Sequence, residues 1–457
     1  MVIAAGGVIT ALSLGVRSTF GLLVVPIADG LGSDLASISL AVAVQNLLWG
    51  FSQPVAGALS DRFGAPPVLA AGGVLYIVAM ALMSMAESSG MILLSGGFIA
   101  GIAIGAASFA VVLSAVGRMT PPEKRSMMLG IVSAVGSLGQ FVLIPVARRL
   151  LANGTWESAS LVLALTLIPI VLFAPMMRAI RIASGAPQDG APVDAGEPVR
   201  TLSEDLSIAR RTPSYLMLNA AFFVCGFHVT FIGIHLAGFA ESQSISPGTA
   251  ATALALIGLF NVFGSLLVGW LGQKHAYTHL LAGIYGLRAV VIAIFVLLPI
   301  TATSTIIFAM AMGVLWLSTV PPTSGIVTQQ FGPTNAGALF GVVFLSHQIG
   351  SFIGAWLGGL LVDLTQSYTF MWWLAVALGI FAMGMHLLLD EGPASFDPPP
   401  RRGVRLAPAA IALIVGLGVF TTIDSALDAD AAAAQTPDDA EPAPVHYCIL
   451  GPVTPPG

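Results

Sequence analysis

Apolar residues in this chain come in long unbroken runs rather than in alternation, and polar residues are confined to short breaks between them. The runs cover 4–27, 36–59, 67–86, 91–117, 127–147 and 158–179, then, after a polar stretch, 214–238, 248–271, 279–299, 303–328, 335–360 and 367–389. Most approach or exceed the roughly 20 residues that a helix needs to cross the hydrocarbon of a bilayer. They are rich in Gly, Ala, Val and Leu, which suits closely packed bundle helices rather than the short alternating strands of a barrel. The pattern predicts an all-α integral membrane protein with twelve transmembrane helices.

Composition excludes the soluble alternative. The chain has 457 residues, 56% hydrophobic and 9% charged, with a mean hydropathy of +0.92, whereas soluble domains carry about 25% charged residues. With the N-terminus inside, Arg62, Arg118, Lys124, Arg125, Arg178, Arg181, Arg200, Arg210, Arg211, Lys274, Arg401, Arg402 and Arg405 all fall on one side, and only Arg148 and Arg149 on the other. That asymmetry predicts a cytoplasmic N-terminus and a multi-pass protein of the cell inner (cytoplasmic) membrane. No basic segment precedes the first run, so no cleavable signal is expected. The lack of a polar N-terminal tail suggests a truncated or misassigned start.

The two sets of six runs repeat each other. Residues 180–213 are the longest polar interruption and read as a cytoplasmic linker between an N-terminal half, 1–179, and a C-terminal half, 214–392. Across it GVRSTF (15–20) answers GFHVTF (226–231), and LGIVSAVGSLGQF (129–141) answers FGVVFLSHQIGSF (340–352), both at an offset of 211. Such parallel repeats belong to transporters that bind solute between the halves near the midplane. Beyond them, 393–457 holds a basic segment, a further apolar run at 406–423 and an acidic Ala/Pro-rich tail expected to be disordered. A thirteenth span at 406–423 would put that tail outside, in keeping with Arg401, Arg402 and Arg405 inside; its shortness and Pro408 argue against it.

GALSDRFG at 57–64 carries a family resemblance. It is similar to the loop between the second and third helices of the major facilitator superfamily, G-x-L-x-D-R-x-G, matched by Gly57, Leu59, Asp61, Arg62 and Gly64. The glycines permit a tight turn, and Asp61 can pair with a helix N-terminus to latch one face of the bundle. The counterpart GWLGQKHA (269–276) has Gln273 in place of the aspartate, so the second latch is expected to be weaker. The resemblance covers roughly residues 1–392 and implies twelve helices and alternating access by rocking of the halves. FFVCGFHVTFIGIHL (222–236), ALALIGLFNVFGSLLVGWLG (253–272) and FGVVFLSHQIGSFIGAWLGGLL (340–361) resemble the bacterial branch related to monocarboxylate transporters and oxalate/formate antiporters. Those carriers typically bind carboxylate with an arginine four residues before the glycine that opens the second loop motif; Ser265 stands there in this chain.

An ionised side chain at mid-bilayer costs about 2.5–3.5 kcal/mol on insertion scales, so Arg17 and Arg288 are the charges to explain. By the resemblance, Arg17 lies in a helix lining the central cavity, where its guanidinium fork suits a carboxylate or other oxyanion. The alternative is an arginine bonded to helical carbonyls or to Gln45 and Asn46. Arg288 lies in a helix that the resemblance puts at the periphery, which favours a snorkelling or packing role. No Asp or Glu falls inside a predicted span, leaving histidine as the group suited to carry protons. His228 and His235 share a helix face two turns apart, and His347 lies in the eleventh run; all three are candidates for proton coupling. Gln45, Asn46, Asn261, Gln140 and Gln348 complete the candidate substrate contacts, each with a plainer reading as interhelical glue, as has Ser137. Pro321 and Pro322 are expected to kink the tenth helix.

No third ligand accompanies the paired histidines, so no metal is expected, and no cofactor is implied. The two cysteines, Cys225 and Cys448, give no disulfide framework. Hydrolase, zinc-protease and phosphate-loop motifs are missing from the sequence, which argues against an enzyme. A net charge of -5 with dispersed basic residues suggests no nucleic-acid partner. The expected function is secondary active transport of a small, monocarboxylate-like organic anion by a monomeric carrier, with proton symport as the candidate coupling. The alternative is proton-antiport export of a neutral or cationic drug-like compound.

Overall fold

A computed structural model of the chain describes residues 2–107, 111–112, 122–177, 200–332 and 335–394. Within them twelve helices are long and apolar enough to cross a membrane: α1 Ala4–Leu31, α2 Leu35–Gly57, α3 Ala65–Met83, α4 Ser89–Ala106, α5 Ala134–Asn153, α6 Trp156–Met177, α7 Pro213–Ser242, α8 Pro247–Leu271, α9 Tyr277–Leu297, α10 Ala302–Phe331, α11 Ala336–Thr365 and α12 Thr369–Leu388. The run at 406–423, the acidic tail, Arg118, linker residues 180–199 and the side chain of Asp61 lie outside the described residues. The near face of the bundle carries the start of α1 and the α2–α3 turn, and the far face carries the α1–α2 turn.

Several spans run further than their apolar stretches. α1 continues through Pro26 to Leu31, α7 ends at Ser242 and α11 at Thr365, so Asp29, Glu241 and Asp363 occupy final helical turns rather than loops. The helix does not stop where the apolar run stops, because at its end backbone hydrogen bonding continues while polar side chains reach the interface.

The packing of the first six spans recurs in the last six. α1 packs on α5 as α7 does on α11, α2 on α4 as α8 on α10, and α3 on α6 as α9 on α12. Glycines at the repeated positions permit the closest crossings. A Cβ on Gly139 would stand 1.9 Å from the Ala11 carbonyl oxygen, and one on Gly350 would stand 1.9 Å from that of Phe223; on Gly15 and Gly226 it would stand 2.7 and 1.7 Å from the Gly139 and His347 carbonyl oxygens. Gly15 and Gly226, like Gly139 and Gly350, are 211 residues apart, so the sequence repeat is a repeat of helix-crossing points. Between the two sets, α2 lies along α11 and α5 along α8.

On the far face the two sets are tied together. The backbone N–H groups of Leu35 and Ala36 donate to the Asp363 carboxylate of α11 at 3.2 and 2.6 Å. Asp34 caps the start of α2, accepting from the Ser37 N–H at 2.6 Å, and the Ser37 donors hold its carboxyl below the usual carboxylate range. The second segment of α1, Phe20–Leu31, packs on α7 beside this tie, with Gly21 against the Gly233 carbonyl. Charge-assisted bonds to orphan N–H groups at a helix start are worth about 1–2 kcal/mol together. Asp363→Ala is therefore expected to raise the population open at this face by about 5- to 30-fold. Spin labels at Ser33→Cys and Ser367→Cys in a Cys448→Ser background would show it as a new long-distance component; an unchanged distance distribution would refute the tie.

On the near face, the short helix Leu202–Ala209 anchors the end of the linker to α11. Asp205 is buried, lies 3.4 Å from the Arg200 Nε and accepts from the Asn335 side-chain amide at 2.8 Å. In the α2–α3 turn, Gly64 has φ +89, a conformation that favours glycine. Gly57 has open space where a Cβ would stand, and Arg62 is exposed over the Phe63 ring.

Candidate functional site

α1 is interrupted by one residue, Thr19, which separates helical segments Val2–Ser18 and Phe20–Leu31. Arg17 is in the last turn of the first segment, where the helix dipole favours a cation. Its Nη2 donates to Asn46 Oδ1 of α2, and its guanidinium lies 4.8 Å from the centroid of the Trp49 ring, one turn further along α2. Asn46 is held in place by donating its own amide to the Val42 carbonyl at 2.8 Å. The Tyr76 hydroxyl of α3 is buried, unpartnered and close enough to Arg17 to interact electrostatically. Arg17 is half-buried, and its buried Nε has no partner. Among the described residues no carboxylate pairs with it.

From Trp49 a row of rings crosses to the other set of spans. Trp49 meets Phe344 of α11 edge-on at 5.5 Å, Phe344 stacks on His347 at 5.5 Å with planes 6° apart, and His347 leans on Phe222 of α7 at 5.0 Å. Gln348 is completely buried against Gly50, with neither end of its amide partnered. The Trp49 Nε1 and Gln53 Oε1 are likewise buried and unpartnered. The structure thus gathers Arg17, Asn46, His347 and Gln348 near one α2–α11 contact, together with Trp49, Phe344 and Tyr76, which the sequence pattern did not single out. The signal lay in helical spacing: Trp49 follows Asn46 by three residues, and Phe344 precedes His347 by three.

The remaining polar candidates have other partners. Gln45 donates to the Gly96 carbonyl at 2.8 Å, in a π-helical stretch, Leu93–Ile99, that leads into the rest of α4. Gln140 donates to the Leu254 carbonyl at 3.1 Å and packs on Gly258, joining α5 to α8. Asn261 donates to Ser137 at 3.0 Å and accepts the Leu317 N–H at 2.9 Å; Ser265 reaches it at 3.5 Å.

The Leu317 bond belongs to a second polar centre. α10 is broken between Leu315 and Val320, just before Pro321 and Pro322, so the expected kink is a full interruption. Arg288 closes it: its Nε and Nη2 donate to the Leu315 carbonyl at 3.1 and 2.6 Å, Nη2 also reaches the Trp316 carbonyl, and Nη1 lies 3.5 Å from Cys225 Sγ. Arg288 has 0% exposure, so it does not snorkel; it packs inside, its charge met by carbonyls at a helix end. Each of its three nitrogens has a partner.

His228 and His235 are enclosed within the last six spans. His228 Nε2 meets the Ala375 carbonyl at 2.7 Å, and His235 Nε2 the Ala355 carbonyl at 2.8 Å. Phe227, Phe231, Tyr368 and Trp372 build the aromatic core around them. Of the three candidate histidines, His347 alone lies on the ring row that begins at Trp49. Among the described residues no group of three or more His, Cys, Asp or Glu could hold a metal.

Known proteins share this architecture. The crystal structure of a D-xylose-proton symporter superposes with a TM-score of 0.65 at 14% identity over 85% of this chain and 96% of its own, and that of a point mutant of the nucleoside transporter NupG at 0.67 and 12% over 85% and 100%. At such identities the likeness is one of fold. In sequence the chain is similar to monocarboxylate transporter 13 of Bos taurus, 25% identical over 84% of this chain and 87% of the relative, and to monocarboxylate transporter 11 of Homo sapiens, 27% over 93% and 91%. An uncharacterised MFS-type transporter of Bacillus subtilis (strain 168), YcxA, is 22% identical over 82% and 90%. These relatives are transporters rather than enzymes. The Major Facilitator Superfamily profile matches residues 6–353 and again 218–429, and with twelve spans packed as two like sets, this chain belongs to that superfamily of membrane transporters.

Proposed function

We propose that this carrier moves a small organic monoanion by alternating access, with Arg17 as its charge-binding group. The supporting observation is the contrast between the two mid-span arginines. Arg288 is enclosed and saturated by helix-end carbonyls, whereas Arg17 is half-buried, keeps an unpartnered Nε and has no acid beside it among the described residues. A cation left that way in a membrane interior is stabilised by an anion arriving from solution, and a guanidinium edge accepts a carboxylate in bidentate fashion. The names of the monocarboxylate transporter relatives agree with this reading.

The basic residues of the linker and near-face loops favour a cytoplasmic N-terminus in the inner membrane. The Asp363 tie then closes the external face, and binding or release on that side requires it to break. His347 takes the proton-coupling role in preference to His228 and His235, whose Nε2 atoms are already committed to backbone carbonyls. Purified protein in proteoliposomes tests the whole: labelled pyruvate or benzoate uptake is expected to rise several-fold with an inward proton gradient. His347→Gln is expected to flatten that gradient dependence while leaving anion exchange intact. Uptake indifferent to the gradient in the unaltered protein would remove proton symport, and carriage of neutral or cationic compounds to the exclusion of anions would remove the substrate assignment.

A further inference from the structure

We propose that the Arg17 site takes a monocarboxylate with a flat aromatic body, an aryl or arylalkyl carboxylate, and that Phe344 sets this preference. The proposal rests on the anion-binding reading of Arg17 and adds the chemistry of the rest of the ligand.

Charge sets the number of carboxylates. Of the two mid-span arginines, Arg17 has donors to spare, since those of Arg288 are taken by Leu315, Trp316 and Cys225. The position where similar carriers hold an arginine is Ser265, turned toward Asn261. Among the described residues a second carboxylate on the solute would meet neutral amides such as Gln348, and with His347 uncharged its burial would be uncompensated.

The rings set the shape. Trp49 lies under the guanidinium and Phe344 stands edge-on to Trp49; both are half-buried, so each ring keeps surface that its neighbours do not cover. This differs from Phe231 and Trp372, which are enclosed in the core of the last six spans. A ring attached to a carboxylate on the free edge of Arg17 extends along that surface. There it gains the offset or edge-to-face contact that a short aliphatic acid cannot make, a difference of about tenfold in affinity. Because Trp49 and Phe344 come from opposite sets of spans, the same solute bridges the two bodies that move against each other.

The test titrates purified full-length protein with benzoate, phenylacetate, pyruvate and malonate and reads the rise in unfolding temperature. Benzoate or phenylacetate is expected to bind about tenfold more tightly than pyruvate, and malonate more weakly than either. Phe344→Leu is expected to reduce aryl binding about tenfold and leave pyruvate within about twofold, with Phe344→Tyr restoring the preference. Pyruvate or malonate binding as tightly as the aryl acids would overturn the proposal, and so would a Phe344→Leu loss shared equally by all ligands. If no carboxylate binds, or if Arg17→Gln leaves all four unchanged, the anion-binding reading itself fails.

Discussion

Arg17→Gln is expected to lower carboxylate affinity by about 10- to 150-fold while leaving the protein folded. The magnitude follows from losing hydrogen bonds to a charged group, about 1.5–3 kcal/mol. The fold should survive because Arg17 makes one side-chain hydrogen bond, to Asn46, which is independently held by the Val42 carbonyl. A glutamine can still reach Asn46, and removing an unpaired charge from the membrane interior offsets what is lost. Arg17→Lys is expected to fall between the two, keeping the charge but not the fork. Uptake and ligand-induced thermal shift, compared with the unfolding temperature of the free protein, separate the effects. A variant that unfolds at the same temperature yet no longer responds to carboxylates supports the assignment; one that binds them as before sinks it.

Much of the architecture was legible because span length and the 211-residue offset are one-dimensional properties. The offset was informative for a physical reason: Gly15, Gly139, Gly226 and Gly350 mark points where helix backbones approach too closely for a side chain. The site was only half legible. Hydropathy finds a polar residue in a membrane but not its partner, so Arg17 and Arg288 looked alike in the sequence. What separates them is a break in α10 that turns two carbonyls toward Arg288. The same holds for His228 and Arg17, at repeated positions in the sequence. One is sealed against Ala375 and the other is half-buried beside Trp49. Trp49 and Phe344 passed unnoticed because an aromatic residue in an apolar run carries no signal until the opposing helix is in place.

The same contrast predicts the opposite outcome at the second arginine. Arg288→Leu should unfold the protein far more readily than Arg17→Gln does, without acting on the anion directly. Its loss strands the Leu315 and Trp316 carbonyls in a buried helix break, at about 1–3 kcal/mol for each unsatisfied group. Asn261 and Cys225 cannot replace it: the Asn261 amide already donates to Ser137 while its oxygen accepts the Leu317 N–H, and the Cys225 thiol, 3.2 Å from Thr319, is a weak donor. A total of about 2–6 kcal/mol is a large fraction of the stability of any single protein domain. The thiol provides a local readout as well. Cys225 has 0% exposure, so in a Cys448→Ser background the native protein should resist alkylation in detergent, and the Arg288→Leu variant should be labelled there at temperatures well below its unfolding midpoint. Arg288→Lys should protect Cys225 only in part, because one ammonium cannot span the carbonyls and the sulfur at once. Unchanged unfolding and an unreactive Cys225 in Arg288→Leu would mean that the break in α10 holds itself together, and that the buried charge has some purpose other than closing it.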